Sequence, residues 1–288
     1  MISTFNKIKW SCWERVSRIL AGTYIVGPDL KDAVTACRRL TTTGMGSIVC
    51  YWDAPGDAPE AIAAMHIKAS EALHAAEADC VLSIKSPALR FDPQLHAQIA
   101  QHARSRGLAL HFDSHAPETA DETFAAIEGL LPLKATLGCT LPGRWRRSLA
   151  DAAWAVERGL RVRVVKGQWA DNTHPEGDSR EMFLAVVDRL AGRACHVGVA
   201  THDGALAREA LARLKKKNTP CELELLYGLP MKQARQAALD AGIGVRIYLP
   251  FGYGWVPYCA SQVRKHPTIL YWMLRDFLSV SLGLGSRS

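Results

Sequence analysis

The sequence predicts an α/β chain that folds as a single (β/α)8 barrel of the TIM type, with an N-terminal helix before it and a C-terminal helix after it. Three features point to this. Short β-like runs alternate with longer amphipathic segments, the pattern of parallel βα units joined by right-handed crossovers. Eight such runs can be placed, and eight parallel strands close on themselves without leaving an edge. The 288 residues, 48% of them hydrophobic, suit one barrel with a sizeable core. An open, doubly wound sheet is the competing arrangement on pattern alone.

An opening helix is expected over residues 6–20. Gly44-Met45-Gly46 is a turn signal leading into the first β-like run, Ser47–Tyr51. The Ala-rich amphipathic stretch Pro59–Ala78 then carries the chain to Val81–Ile84. Ala109–Phe112 and Lys134–Cys139 follow, and Ser148–Arg158 reads as a helix. Val162–Val165, Ala194–Ala200, Glu222–Leu226 and Val245–Leu249 complete the eight, with Ala205–Lys217 as a helix among them. Another helix begins near Trp255. The tail, Pro267–Leu284, is strongly apolar (Ile269, Leu270, Trp272, Met273, Leu274, Phe277, Leu278). It reads as a final helix on the barrel, with a face broad enough for a membrane surface or a second copy of the chain. No repeat, low-complexity tract or Pro/Ser-rich linker marks a boundary, so one domain over residues 1–288 is expected, with its core at roughly 20–275.

The chain is basic, with 35 Lys+Arg against 28 Asp+Glu. The excess is scattered, and the one dense run, Lys215-Lys216-Lys217, lacks interleaved aromatics. It reads as a solvated helix end, so no nucleic-acid partner is expected. Eight cysteines occur without a C-x-x-C pair. Cys50, Cys80, Cys139, Cys195 and Cys221 lie in or beside apolar runs, where a thiol acts as a small hydrophobe. Residues 1–13 lack the apolar region of a secretory leader, and no stretch is apolar for long enough to span a bilayer, so a cytoplasmic location is expected. The ten histidines are dispersed and no H-E-x-x-H occurs, which argues against a metal site. Neither a dinucleotide-binding glycine fingerprint nor a phosphate-binding P-loop is present.

In a barrel of this kind the active site forms at the C-terminal ends of the strands. Polar residues fall there on six strands: Lys85 on the second, Asp113 on the third, Arg163 and Lys166 on the fifth, Thr201-His202-Asp203 on the sixth, Glu224 on the seventh, and Arg246 with Tyr248 on the eighth. Singly each has a plain reading. A lysine can snorkel, Asp113 can cap the next helix, and His202 can be a satisfied structural histidine. Together, the cations of strands two, five and eight predict a mouth that receives an anion such as a phosphate, a carboxylate or a reduced flavin. Alternation sends Arg163 and Val165 to one side and Lys166 to the other, without deciding which side faces a ligand.

These residues resemble the motifs of the proline dehydrogenase family. Arg163-Val-Val-Lys166-Gly167-Gln168-Trp169 is similar to R-L-V-K-G-A-Y, and Ala200-Thr201-His202-Asp203 to A-T-H-N. Glu222 to Leu229 is similar to E-F-Q-M-L-Y-G-M, and Arg246 to Tyr258 to R-V-Y-V-P-Y-G followed by W-Y-P-Y. Ser83-Ile84-Lys85 and Phe112-Asp113 match at strands two and three, and the order holds over roughly residues 20–275. The resemblance implies a distorted barrel that holds FAD and oxidises proline to an imine, passing electrons to a quinone or another acceptor. It implies that Arg163, Lys166, Thr201, His202 and Glu224 contact FAD, with Glu224 at the family's glutamine position. Lys85 and Asp113 would lie beside the substrate, and Tyr248 and Tyr258 would wall its ring.

The chain also departs from the family. The helix motif Y-x-x-R-R, whose arginines clamp the carboxylate of proline, reads here Tyr258-Cys259-Ala260-Ser261-Gln262. Losing a bidentate pair forfeits on the order of 2–5 kcal/mol if nothing compensates. Arg264, one turn on from Ser261, can restore a cation. Leu141-Pro142-Gly143-Arg144 stands where the family has L-Q-A-Y, and Trp169 replaces the tyrosine of R-L-V-K-G-A-Y. The substrate expected is therefore proline or a related small amine, contacted by Trp169, Ser261, Gln262 and Arg264. A flavin-binding or partner-binding barrel without turnover, and a Schiff-base lyase using Lys85 or Lys166, are the readings from other classes.

Overall fold

A computed structural model describes residues 26–54, 56–171 and 178–254. Eight parallel strands close a barrel in sequence order: β1 (Gly46–Tyr51), β2 (Cys80–Ile84), β3 (Ala109–Phe112), β4 (Leu137–Pro142), β5 (Arg161–Val165), β6 (Val197–Ala200), β7 (Cys221–Leu226) and β8 (Val245–Phe251). The ring shuts where β8 pairs with β1, from Gly46 opposite Arg246 to Tyr51 opposite Phe251. Helix α1 (Leu30–Thr42) precedes β1. The crossovers are α2 (Pro59–Ala75), α3 (Pro93–Ser105), α4 (Ala120–Leu130), α5 (Ser148–Glu157), α6 (Ser179–Leu190), α7 (Gly204–Lys216) and α8 (Lys232–Asp240).

Local chemistry starts these helices cleanly. Pro59 and Pro93 occupy first-turn positions, where a missing N–H costs nothing. Asp92, Asp178 and Asp203 cap α3, α6 and α7, each side chain accepting from the N–H groups two and three residues on. Lys215 and Lys216 end α7, where cations favour the helix dipole.

Alternation along the strands separates two environments. Outward residues such as Val49, Leu82, Leu110, Val164, Val199 and Leu225 are buried and join the apolar core beneath the helices. The interior, filled by branched aliphatics in most such barrels, here carries charge. At its base Arg246 Nε binds both oxygens of Glu222 (2.9 and 3.0 Å), while its Nη1 binds Asp79 Oδ1 (2.9 Å). Arg161 Nη2 reaches Glu222 at 3.3 Å. A Cβ at Gly46 would lie 2.5 Å from Arg246 Nη1, so a larger residue there would have to displace this guanidinium. Buried charges of this sort persist only when paired.

Three expectations need correction. Strand β4 begins at Leu137, not Lys134, because Lys134 adopts φ 52° where a 3-10 turn ends. Strand β6 begins at Val197, three residues later than expected, and Cys195 in the segment before it is exposed rather than packed. Arg246 is the second residue of a seven-residue strand, so it lies at the barrel's base and contributes nothing to the mouth.

No helix among the described residues is long and apolar enough to cross a membrane. The opening helix, the helix from Trp255 and the apolar tail lie outside the described residues.

Candidate active site

The mouth of the barrel opens into a cavity of about 460 Å³ at the C-terminal ends of the strands. Lys85, Asp113, Arg163, Thr201, His202, Glu224, Tyr248 and Trp169 all line it, drawn together from six different strand ends. Lys166 does not. Alternation decides between Arg163 on β5 and Lys166 just after it: Arg163 and Val165 face inward, while Lys166 points to the rim, 3.9 Å from Asp203.

The floor is one hydrogen-bonded cluster around Arg163, whose side chain is almost fully buried. Its Nε donates to Glu224 Oε2, and its Nη1 donates to Asp113 Oδ1 at 2.5 Å. Asp113 also accepts from Ser83 Oγ (2.8 Å) and, through Oδ2, from the Tyr248 hydroxyl (2.6 Å). The guanidinium lies 5.4 Å from the centre of the Tyr248 ring. Asp113 therefore caps no helix; it ties β2, β3, β5 and β8 together. Burial raises the Tyr248 phenol well above its usual range, with the Asp113 charge adding to this, so it stays a donor. Burial also raises the Glu224 carboxyl, an effect that Arg163 offsets only in part. The two carboxylates hold the Arg163 guanidinium firmly charged.

This corrects the expectation of a simply cationic mouth. Arg163 is spent on two carboxylates, and Asp53 lines the cavity as well. The remaining cation in the wall is Lys85, whose ammonium sits 4.9 Å from the centre of the Trp52 ring and 3.8 Å from Cys50 Sγ. Among the described residues no carboxylate lies within ion-pair distance of it.

His202 has both ring nitrogens committed to backbone. Nε2 accepts from the Leu226 N–H (3.0 Å), which leaves Nδ1 to donate to the Pro230 carbonyl (3.0 Å). Burial lowers its pKa, so it is a neutral brace for the loop after β7. Thr201 Oγ1 accepts from the Asp203 N–H at 3.2 Å. Arg144, the cation gained after β4, donates to the carbonyls of Gly167 (3.2 Å) and Gln168 (3.3 Å). It shapes the loop that presents Trp169. Gly167 in that loop has φ +97°, and a Cβ there would meet Pro142 Cβ at 2.8 Å.

Sequence reasoning missed Trp52, Asp53 and His115, all in the cavity wall. A signal existed for two of them. His115 follows Asp113 by two residues and Trp52 follows Cys50 by two, so strand alternation carried past the strand end puts each on the inner face. Tyr258, Ser261, Gln262 and Arg264 lie outside the described residues. No cluster of potential metal ligands occurs among the described residues.

No family model matches the chain. Proline dehydrogenase 1 of Bacillus subtilis is 21% identical over 281 residues, covering 91% of this chain and 92% of that protein. Proline dehydrogenase of Deinococcus radiodurans is 25% identical over 283 residues, covering 90% of each. Among solved structures, proline utilization A from Bdellovibrio bacteriovorus superposes with a TM-score of 0.70 at 16% identity, over 81% of this chain and 31% of that much longer one. The chain is thus similar, over about nine tenths of its length and in its closed eight-stranded barrel, to proteins named proline dehydrogenase.

Proposed function

We propose that this chain is a cytoplasmic, FAD-dependent oxidoreductase that converts proline, or a proline-like secondary amine, to the corresponding imine. The observation that carries the reading is the convergence of Lys85, Asp113, Arg163, Glu224 and Tyr248 on one cavity floor and wall, in a chain similar to proteins of that name.

The residues present fit a flavin. Trp52, Trp169 and Tyr248 give the cavity flat apolar surfaces for a planar ring. Arg163 uses Nε and Nη1 on protein, and no bond of its Nη2 is made among the described residues, which leaves a charged donor for a ring heteroatom. Lys166 lies at the rim, where Arg180 also comes within 3.9 Å of Asp203. These two cations suit the cofactor's phosphates rather than its ring. Thr201 and His202 stay at the contact edge as wall residues.

When bound, FAD supplies the hydride acceptor. The chain's own residues do the rest. Lys85 offers a cation to a carboxylate or other electron-rich group on the substrate. Asp113, held by Ser83, Arg163 and Tyr248, keeps a fixed negative charge beside the amine, and the Tyr248 ring walls the site. Oxidation removes a hydride from the carbon next to an unprotonated nitrogen. The nitrogen lone pair forms the C=N bond, and the N–H proton leaves to solvent when the neutral imine forms. In the complete reaction a quinone or another acceptor would take up the two electrons.

The test is an anaerobic visible spectrum of purified protein before and after L-proline is added. A flavin band that bleaches supports proline oxidation, and one that persists directs attention to other secondary amines. Failure to hold FAD, even when it is supplied, removes the oxidoreductase reading and favours the lyase or the partner-binding barrel.

A further inference from the structure

We propose that Glu224 is a proton-holding residue, which binds one proton from solvent when a flavin in the cavity is reduced and releases it on reoxidation. The proposal rests on the flavin-dependent amine oxidation above.

Two observations support it. The first is a surplus of negative charge in the cavity floor. Arg163 is the one cation bonded to both Asp113 and Glu224, so this cluster holds one positive and two negative groups. All three are largely withdrawn from water, with side-chain exposures of 5% for Arg163, 13% for Asp113 and 8% for Glu224. The charges at the base of the barrel do not correct the imbalance, because Arg246 and Arg161 are committed there to Glu222 and Asp79. An unbalanced charge held away from water is costly, and a carboxylate in that position relieves it by taking up a proton. Reduction by hydride leaves the flavin ring with one more negative charge, facing the same floor.

The second observation decides which carboxylate responds. Asp113 accepts from three donors: Arg163 Nη1, Ser83 Oγ at 2.8 Å and the Tyr248 hydroxyl at 2.6 Å. Each of these favours its charged form. Glu224 accepts only from Arg163 Nε, through Oε2. Its Oε1 has no hydrogen-bond partner among the described residues, yet it is not sealed from solvent as the unpartnered ring atoms of His66 and His96 are. This oxygen sits over Gly198, where a Cβ would lie 2.1 Å from it. Oε1 is thus the open lone-pair position of the cluster. The groups facing Glu224 are Arg163 on β5, Asp113 on β3, Glu222 on its own strand, Arg246 and Tyr248 on β8, and the uncharged Thr201 and His202 after β6. Burial raises its carboxyl, Arg163 offsets this in part, Glu222 adds to the rise and Arg246 opposes it. The balance of the step is one hydride to the flavin and one proton from solvent to Oε1, with no other bond formed on the protein.

The experiment measures the flavin midpoint potential of the holoprotein between pH 7 and 8, by photoreduction against redox dyes without any amine. Each proton bound with the two electrons shifts the potential by about 30 mV per pH unit, the value of a tenfold change for a two-electron couple. The hydride equivalent brings one proton and Glu224 adds a second. The expected slopes are therefore about 60 mV per pH unit in wild type and about 30 in Glu224→Gln. Infrared difference spectra locate the proton directly: on reduction, wild type should gain the carbonyl band of a carboxylic acid and lose a carboxylate band, and Glu224→Gln should show neither change. Should Glu224→Gln fail to fold, Asp113→Asn takes its place, and the band should persist there. A one-proton slope in wild type overturns the proposal. A two-proton slope in both proteins does so too, because the second proton would then reside on the flavin or elsewhere. An acid band that persists in Glu224→Gln, or is lost in Asp113→Asn, assigns the proton to Asp113 and also overturns it. A wild-type protein that takes up no FAD overturns the oxidoreductase reading, and this proposal with it.

Discussion

Arg163 on β5 and Glu224 on β7 form an ion pair across the strand that separates them, because β6 carries glycine at position 198. A Cβ at that position would lie 2.1 Å from Glu224 Oε1. Gly198→Ala is therefore expected to force the carboxylate off Arg163. The cost should be about 1–3 kcal/mol, as for other overpacked interiors. Chemical denaturation would measure it, and a variant of unchanged stability would mean that the pair does not cross β6 as described.

Arg163→Met leaves Asp113 and Glu224 buried without their shared cation. Breaking a buried pair in this way costs about 3–5 kcal/mol, so the variant should unfold at markedly lower denaturant and hold less flavin. Lys217→Ala, at the exposed end of α7, should change neither. Similar behaviour of the two variants would sever Arg163 from the site.

Tyr248→Phe removes the 2.6 Å hydrogen bond to Asp113 Oδ2 and keeps the ring. The expected loss is about 1.5–3 kcal/mol, typical of a hydrogen bond to a charged group, divided between stability and the rate of flavin reduction. Because the phenol pKa is raised, wild-type and variant pH profiles should have the same shape up to pH 9 or so. A limb that vanishes in the variant would instead mark the phenol as a titrating group.

Acid should destabilise the barrel from about pH 6.5 downward, the ordinary histidine value. Burial pushes His66 down to about 3 and His196 down to about 4. Each is neutral in the fold but binds a proton in the unfolded chain below about 6.5. Their stability contribution is complete above that pH and is lost as pH falls toward the folded values. At pH 5 the loss from His66 alone is about 2 kcal/mol. Urea midpoints between pH 7.5 and 5 would follow it. His66→Asn should flatten the slope, and an unaltered slope would remove His66 from the account.

Ser261→Arg with Gln262→Arg is expected to raise affinity for L-proline by restoring the family's paired cations. Titration of the flavin spectrum with a non-oxidised carboxylate analogue would read this directly. No gain would mean that the carboxylate site is not at these positions, or that Lys85 already supplies all the charge that the site can use.

The order and number of the strands were legible from the sequence because they rest on local periodicity. Val162–Val165 or Val245–Leu249 shows its β pattern within a few residues, and the barrel follows once eight such runs alternate with helices. Lys85, Asp113, Glu224 and Tyr248 could be placed at strand ends for the same reason. What each charge meets was not legible. Arg163 and Glu224 are 61 residues apart, and Arg163 and Asp113 are 50 apart. Their pairing depends on barrel closure and on one missing Cβ at Gly198. The same closure sends Arg246 to the base and leaves Lys85 as the uncommitted cation in the described wall. Composition and spacing thus determined the barrel and the residue types at its mouth. Only the tertiary structure decided which of them neutralise one another, because ion pairing falls off over a few ångströms that sequence distance does not measure.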